Sequence, residues 1–279
     1  MTLMQLIKLV LDEAYDEMPY TEDSDKDEKV KEQLNLLGPK YKNLTVGPHD
    51  PIDYSDPVAR FAYIYKYTVA HADYIMQLIQ GTQVLRDLFD RDSLDVACLG
   101  GGPGSDLLGI LKYMIKRDKK CPLRCFLFDK ERAWGDSWGD VAKPLDASFR
   151  VYPIFQQLDV TDSKTWAGYH KYLKADLFTL SYFMSEVWKI RAQAKPFFDY
   201  CFAKAKPGAL LLFLDNRASE FYGWFDSLAA ANGIEIVKGN ATLMCFANEE
   251  EKKDLGRYYE KFGFPKRKSE VSFRIGRKK

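Results

Sequence analysis

The sequence predicts an α/β protein with a seven-stranded, mostly parallel sheet, a reversed last strand, helices on both faces and an N-terminal helical cap. Three observations carry this reading. From residue 94 onward, five short apolar runs alternate with helical segments, the pattern of βαβ units whose strands are buried on both faces. After the fifth unit the rhythm changes to strand-like runs, one charged helix and a closing strand, which fits a reversed edge. Before residue 90 the apolar periodicity is helical and is interrupted by a Gly- and Pro-rich segment.

Taken in order, residues 3–18 read as an amphipathic helix, with Leu3, Ile7, Val10, Ala14 and Met18 on one face and Pro19 as its stop. Residues 20–32 are almost all polar and mostly acidic, and are expected to form a surface segment that runs into a short helix at most. Residues 38–57 are expected to be a long irregular loop of the kind that serves as a lid. A helix then starts at Asp56-Pro57, with the carboxylate as cap and the proline at the first helical position. It carries a core stripe (Phe61, Tyr65, Val69, Ala72, Met76, Ile79) and a second, polar-tipped stripe (Arg60, Tyr63, Tyr67, His71, Tyr74), and Gly81 ends it. Strands are expected over 94–100, 123–129, 151–159, 175–183 and 209–215. The intervening helices are placed at 105–117, 131–143, 163–173, 185–205 with a break at Pro196, and 218–232. The runs GIEIVKG and ATLMCF are expected to be separate strands around a tight turn at Gly239–Asn240. A charged helix and the last strand, SEVSFRIGRKK, follow. The organisation expected is a cap and loop segment over 1–90 and a core domain over 91–279.

At 279 residues the chain is long enough to bury a core without covalent staples. Lys and Arg total 41 against 40 for Asp and Glu, a net charge of +1, so any nucleic-acid surface has to be a local patch. The five cysteines are odd in number and show no CxxC pair, and the three histidines have no metal-ligand spacing. Buried free thiols in a reducing compartment are expected, and no metal site is read. No apolar run reaches the ~18 to 20 residues that a membrane helix needs, and the N-terminal stretch is followed by acids rather than by a cleavage site. A soluble intracellular protein, in cytoplasm or nucleus, is expected. The oligomeric state is left open.

The sharpest local feature is Leu99-Gly100-Gly101-Gly102-Pro103-Gly104-Ser105-Asp106, between the first core strand and a helix. Glycines there let the backbone turn and approach a ligand, and the helix start adds N–H donors. A dinucleotide fingerprint is not excluded by these residues, because Ser105 stands at the third small position. Asp129 ends the second strand in Phe128-Asp129-Lys130-Glu131, where either cofactor class needs an acid for ribose hydroxyls. The third strand ends in Leu158-Asp159-Val160, which suits an adenine edge.

On these motifs, residues 94–216 resemble class I S-adenosylmethionine (SAM)-dependent methyltransferases. The resemblance implies the sheet order 3-2-1-4-5-7-6, SAM as cofactor, and a binding site over the C-terminal ends of the strands. It places Gly100, Gly101, Gly102 and Gly104 against the methionine and ribose part, Asp129 and Lys130 beside the ribose, and Asp159 with the Val160 N–H at the adenine. The family often carries an acid two positions before the first glycine; here that position is Cys98, and Asp106 is the candidate replacement. A narrower set of segments, Gly-Gly-Gly-Pro-Gly-Ser-Asp, Thr179-Leu180 and Ser185-Glu186-Val187-Trp188, with Trp134 soon after Asp129, is similar to fungal large-subunit rRNA uridine-N3 methyltransferases. That similarity implies an RNA base as methyl acceptor.

The segment after the fourth strand, Ser181-Tyr182-Phe183-Met184-Ser185-Glu186, lies where the acceptor pocket forms in this fold. It lacks the Asn/Asp-Pro-Pro-Tyr/Phe motif of exocyclic-amine methyltransferases. Tyr182 or Phe183 can stack on a planar acceptor, Ser181 can line the site, and Glu186 can take a proton from a ring nitrogen. The bland alternative makes Phe183 and Val187 core and Glu186 a helix-terminal charge. The C-terminal cations Lys266, Arg267, Lys268, Arg274, Arg277, Lys278 and Lys279 are candidates for phosphate contacts, or a solvated tail. A small-molecule acceptor and a catalytically silent SAM-binding subunit remain alternatives.

Overall fold

The computed structural model describes residues 3–42, 52–142, 150–245 and 250–279. Seven strands make one sheet in the order β3-β2-β1-β4-β5-β7-β6. They are β1 (Leu94–Leu99), β2 (Leu123–Asp129), β3 (Val151–Gln157), β4 (Leu177–Ser181), β5 (Leu210–Asn216), β6 (Ile234–Cys245) and β7 (Lys268–Lys278). β1 to β5 pair in parallel, and β7 runs antiparallel to both β5 and β6. This is the order and the reversed last strand of the class I methyltransferase fold, as the sequence motifs imply.

The helices are α1 (Leu3–Asp16), α2 (Asp23–Lys42), α3 (Pro57–Tyr63), α4 (Val69–Gln80), α5 (Gln83–Arg86) and α6 (Ser105–Lys116). They continue with α7 (Ala133–Ala142), α8 (Ser163–Trp166), α9 (Phe183–Glu186), α10 (Arg191–Lys204), α11 (Ser219–Ala231) and α12 (Arg257–Phe262). Alternation along each strand sorts the side chains into two cores. Leu94, Val96 and Cys98 of β1 share one with Leu6, Phe61, Ile75, Ile110 and Trp134 of the helices on that face. Ala97 and Leu99 share the other with Phe178, Phe197, Phe202 and Phe225. The cap helices therefore lie in the same layer as α6 and α7. α4 and α6 approach so closely that a Cβ on Gly109 would sit 2.4 Å from the Ala72 carbonyl oxygen.

Several elements differ from expectation for identifiable reasons. The acidic stretch from residue 20 is not a loose surface segment but the start of the long helix α2. Asp23 and Asp25 stand in its first turn, where the helix dipole favours acids. Val30 and Leu37, one heptad apart, are fully buried. Lys26 reaches under α1 to the Tyr15 carbonyl at 2.9 Å. Of the loop expected over 38–57, residues 38–42 belong to α2 and residues 43–51 lie outside the described residues. The Pro57 helix keeps its expected start, with Asp56 Oδ1 accepting from the Val58 N–H at 2.9 Å. It contains a π-helical turn, Ile64–Thr68, between α3 and α4. Both of its stripes are buried, since the sheet layer takes one and the N-terminal helices take the other.

The helix after β4 breaks before Arg191, at a 3-10 turn over Trp188–Ile190, and runs through Pro196. The Gly239–Asn240 hairpin does not form. β7 is long enough to pair with all of β6, from Ile234↔Lys278 to Cys245↔Lys268. Gly239 serves a close approach instead, because a Cβ there would stand 2.7 Å from Arg274 Cδ.

Candidate functional site

The Gly-rich turn leaves β1 at the C-terminal edge of the sheet. Gly100, Gly102 and Gly104 take positive φ of 66°, 40° and 68°, a region that costs residues with a Cβ. The Gly101 N–H donates to the Phe128 carbonyl at 2.9 Å, which ties the turn to β2. A Cβ on Gly100 would fall 2.2 Å from the Phe183 ring, and one on Gly104 would fall 1.7 Å from Trp138. The resemblance placed all the glycines against the ligand. In the structure, Gly100 and Gly104 make room for the chain's own aromatic rings. Gly102 is the least crowded of these glycines, with Asp129 Oδ2 at 3.5 Å and Trp134 Nε1 at 3.9 Å from its would-be Cβ. Trp138 Nε1 donates to the Gly102 carbonyl at 3.2 Å, which fixes that ring over the turn.

Asp129 stands at the end of β2 as expected. One carboxylate oxygen accepts from the Gly102 N–H and the other from the Glu131 N–H, both at 2.9 Å. Burial pushes its carboxyl up to about 6, against the opposing pull of those N–H donors. Each oxygen keeps a lone pair for a further donor such as a ribose hydroxyl. Asp159 lies beyond β3 and accepts from the Thr161 N–H at 2.9 Å and the Thr161 hydroxyl at 2.7 Å. Lys130, itself largely exposed, pairs with Asp159 at 3.0 Å. These partners outweigh burial and hold the Asp159 carboxyl below its ordinary value. An adenine at Asp159 therefore has to displace the Lys130 head, which its exposure allows. Val160 is buried beside this acid.

Asp106 points into the protein. Its Oδ2 accepts from the Thr179 hydroxyl of β4 at 2.6 Å, and its buried Oδ1 has no hydrogen-bond partner. Burial raises its carboxyl to about 6, moderated by the Thr179 and Ser181 hydroxyls. The Ser181 hydroxyl is near enough for that influence but lies outside hydrogen-bonding geometry, and it too is unpaired. Cys98, at the position where the family often has an acid, is buried with its sulfur 3.4 Å from that of Cys125, and both thiols are free.

The turn after β4 is pinned to β5. The Tyr182 N–H donates to the Leu214 carbonyl at 2.7 Å, and the Ser185 N–H donates to Asp215 Oδ2 at 2.9 Å. Tyr182 sits in the left-handed region at φ 57° and is 2% exposed. Its ring stacks on His71 of α4 rather than standing open to a ligand, and Phe183 covers Gly100. Stacking on an acceptor therefore does not fall to either ring in this arrangement.

Glu186 ends α9 and is exposed. Its Oε1 accepts from the Tyr41 hydroxyl at 3.0 Å. That hydroxyl is also joined to the hydroxyl of Tyr54. Crowding out of water and the nearby Asp129 charge push Glu186 up to about 8, against the Tyr41 bond. Tyr54 feels the charges of both Glu186 and Asp129, which raise its hydroxyl further after burial. Its ring lies 5.3 Å from Trp134 and 5.3 Å from Tyr63. Arg60 holds this roof in place: it donates to the Tyr54 and Ser55 carbonyls at 2.9 and 2.8 Å and pairs with Glu17 at 2.7 Å.

Sequence reasoning missed Tyr41, Tyr54 and Trp138. Tyr41 and Tyr54 belong to the segment singled out as a lid-like loop, and that was their only signal. The C-terminal cations do not form one patch. Lys266 and Lys268 precede or begin β7 at the site edge. Arg277 pairs with Leu210 at the start of β5, at the opposite edge of the sheet. Arg274 is taken by Asp226 at 3.1 Å, and Lys279 pairs with Glu235. No helix among the described residues is long and apolar enough to cross a membrane.

No protein-family model matches this chain, and no curated protein matches it. Solved structures of similar fold exist. A SAM-dependent methyltransferase from Methanosarcina mazei is 11% identical with a TM-score of 0.45, over 71% of this chain and 97% of that one. A candidate RNA methyltransferase from Pyrococcus horikoshii is 14% identical with a TM-score of 0.44, over 89% and 98% of the two chains. Precorrin-6y C5,15-methyltransferase from Geobacter metallireducens is 11% identical with a TM-score of 0.41, over 70% and 85%. At these identities the likeness is one of fold.

Proposed function

We propose that this chain is a SAM-dependent methyltransferase that acts on a ring nitrogen of a planar acceptor, with a uridine base in RNA as the acceptor we favour. One observation carries the reading: at the C-terminal edge of a class I sheet, Asp129 is held by the Gly102 N–H, and Glu186 lies near enough to feel its charge. The residues fit the cofactor. Asp129 has capacity for ribose hydroxyls next to Gly102, the least crowded glycine of the turn, and Lys130, Asp159 and Val160 follow as the adenine side of the reading. The methionine end would lie toward Gly101 and the Ser181 side of the turn. When bound, SAM supplies a methyl group on a cationic sulfur.

The chain's own part is to hold the acceptor and to remove a proton. Glu186 is the base. A ring N–H must lose its proton as the nitrogen gains a methyl group, and a carboxylate with a raised proton affinity accepts that proton more readily than an ordinary one. Tyr41, donating to Glu186, aims the carboxylate. Tyr41 and Tyr54, which are only half-buried, supply apolar surface for a base taken out of its stack, with Tyr63 packed behind them. The same surface also favours a second reading, a small aromatic molecule as acceptor.

Methyl-labelled SAM, offered to the purified protein with total RNA, with RNA-free extract and with a metabolite pool, tests both. Label in RNA at a uridine ring nitrogen supports the favoured acceptor. Label only in a small metabolite replaces it with the second reading. Label in neither, with SAM bound, makes the chain a silent binding subunit.

A further inference from the structure

Lys266 is a cation set against the cap, with the Lys66 segment as its neighbour. It is partly buried, and no acidic side chain among the described residues forms an ion pair with it. Its backbone N–H donates to the Lys66 carbonyl at 2.8 Å, which holds it against the π-helical turn. Its ammonium lies 5.3 Å from the centre of the Tyr67 ring, and that of Lys66 lies 5.8 Å from the same ring. Burial and the Lys66 charge push Lys266 down to about 8, and it in turn helps burial to hold His71 low. The Lys66 ammonium is taken by the Leu34 carbonyl, whereas Lys266 in its partly dry site is unfavourable unless an anion joins it.

The surroundings are polar and incomplete as well. His71 Nε2, Tyr74 Oη, Tyr182 Oη and Ser269 Oγ are buried without hydrogen-bond partners. They gather around one stack: Tyr67 lies on His71, and His71 lies on Tyr182. Ser269 is close to both tyrosine hydroxyls but outside bonding geometry. Buried polar atoms left unpaired are few in folded proteins; Tyr74, Tyr182 and Ser269 neighbour one another, which leaves His71 Nε2 as the atom here with no polar neighbour among them. Contacts lead from this place to Glu186: the Tyr67 ring lies 5.2 Å from that of Tyr41, and Tyr41 donates to Glu186.

We infer that Lys266, backed by Lys66 and the Tyr67–His71–Tyr182 stack, is the phosphate-binding point of the acceptor site, so that the acceptor is a nucleotide rather than a neutral base or nucleoside. This rests on the methyltransferase reading for its place in a reaction, but the phosphate site itself stands on Lys266 and its neighbours. The phosphate belongs either to an RNA strand or to a free nucleotide, and the two share the chemistry recognised here.

The test is calorimetric titration of the full chain with uridine 5′-monophosphate, uridine and a six-residue oligouridylate, at low salt and with saturating S-adenosylhomocysteine. The wild type is expected to bind the monophosphate roughly tenfold or more tighter than uridine, the scale of one charge-assisted bond. Lys266→Met removes that preference, and Lys266→Arg keeps it. S-adenosylhomocysteine affinity stays unchanged in both, which also shows that they fold. Oligouridylate binding tighter than the monophosphate assigns the phosphate to RNA, and the reverse assigns it to a free nucleotide. Equal affinity of the wild type for uridine and its monophosphate overturns the inference, as does a preference that survives Lys266→Met. If S-adenosylhomocysteine does not bind the wild type, titration without it reads the phosphate preference alone, and only the methyltransferase reading falls.

Discussion

The rings of Tyr182 and His71 lie face to face, with centroids 3.8 Å apart and planes inclined by 13°. This contact joins the turn after β4 to the helical cap at the point where the sheet presents its ligand edge. It also accounts for a tyrosine held at φ 57°, a conformation that costs a residue with a Cβ on the order of 1–3 kcal/mol and persists only when its surroundings fix it. The backbone bond to Leu214 fixes one side and the stack fixes the other.

Tyr182→Phe and Tyr182→Ala separate the ring from the hydroxyl. The hydroxyl is buried without a partner, so Tyr182→Phe should melt at or above the wild-type temperature. Tyr182→Ala should lose about 3–5 kcal/mol, as other buried aromatic truncations do. Paired thermal melts check this. A Tyr182→Phe protein that melts well below the wild type would show that the hydroxyl is bonded in the folded state.

Gly104→Ala should unfold or severely destabilise the turn. Its Cβ would overlap Trp138, and its φ of 68° penalises any Cβ besides. The double variant Gly104→Ala/Trp138→Gly removes the overlap and should recover part of the stability. The residual deficit then measures the lost tryptophan and the backbone strain together. Denaturant melts of the wild type and the two variants read this out. No recovery in the double variant would mean that strain, and not the clash, dominates.

What was legible in the sequence followed from local rules. The five parallel strands, the Asp56-Pro57 start and Asp129 at the end of β2 each depend on residues within one element. What failed depended on partners far away in the chain. The acidic stretch from residue 20 folds into α2 because Tyr15 and Lys261 receive its Lys26 and Asp27. Gly239 looked like a turn and is a crossing point for Arg274. Tyr41 and Tyr54 carry no spacing signal, and only the fold brings them to Glu186. Tyr182 and Phe183 sit in the turn after β4 as expected, but their faces are already taken, by His71 and by Gly100.

Asp129→Ala should weaken S-adenosylhomocysteine binding at least roughly tenfold, through loss of charge-assisted bonds worth about 1.5–3 kcal/mol each. It also frees the Gly102 and Glu131 N–H groups, so Asp129→Asn is the cleaner variant, since it retains an acceptor oxygen for one of them. Calorimetry on both variants gives the answer. Unchanged affinity in both would remove Asp129 from the ribose position.

A chain beginning at residue 91 should not fold stably. Phe61, Ile75 and Ile79 of the cap are fully buried in the same core as Val96 and Ile110, and its loss exposes that whole sheet face. Circular dichroism melts and S-adenosylhomocysteine binding test it. A truncated chain that melts cooperatively and binds like the full one would show the cap to be a separate unit.

Glu186 ties catalysis and stability to the same proton, and the two signs are opposite. Its carboxyl is raised from 4.5 to about 8, chiefly by crowding out of water and then by Asp129. As a base it works only when ionised, so turnover should climb with pH and level off above about 8. For stability, the folded form holds this proton while the unfolded form releases it between pH 4.5 and about 8, so stability falls as pH rises through that window. Glu186→Gln cannot ionise. It should therefore match the wild type in melting temperature at pH 4.5, exceed it at pH 9, bind S-adenosylhomocysteine normally and lose turnover. Tyr41→Phe removes the hydroxyl that favours the carboxylate, so its rate profile should shift to higher pH with turnover retained at the plateau. Melts and rate profiles on the three proteins decide the matter. A Glu186→Gln enzyme that turns over at the wild-type rate would remove Glu186 as the base. A rate profile in Tyr41→Phe that coincides with the wild type would show that the Tyr41 bond does not act on Glu186 during turnover.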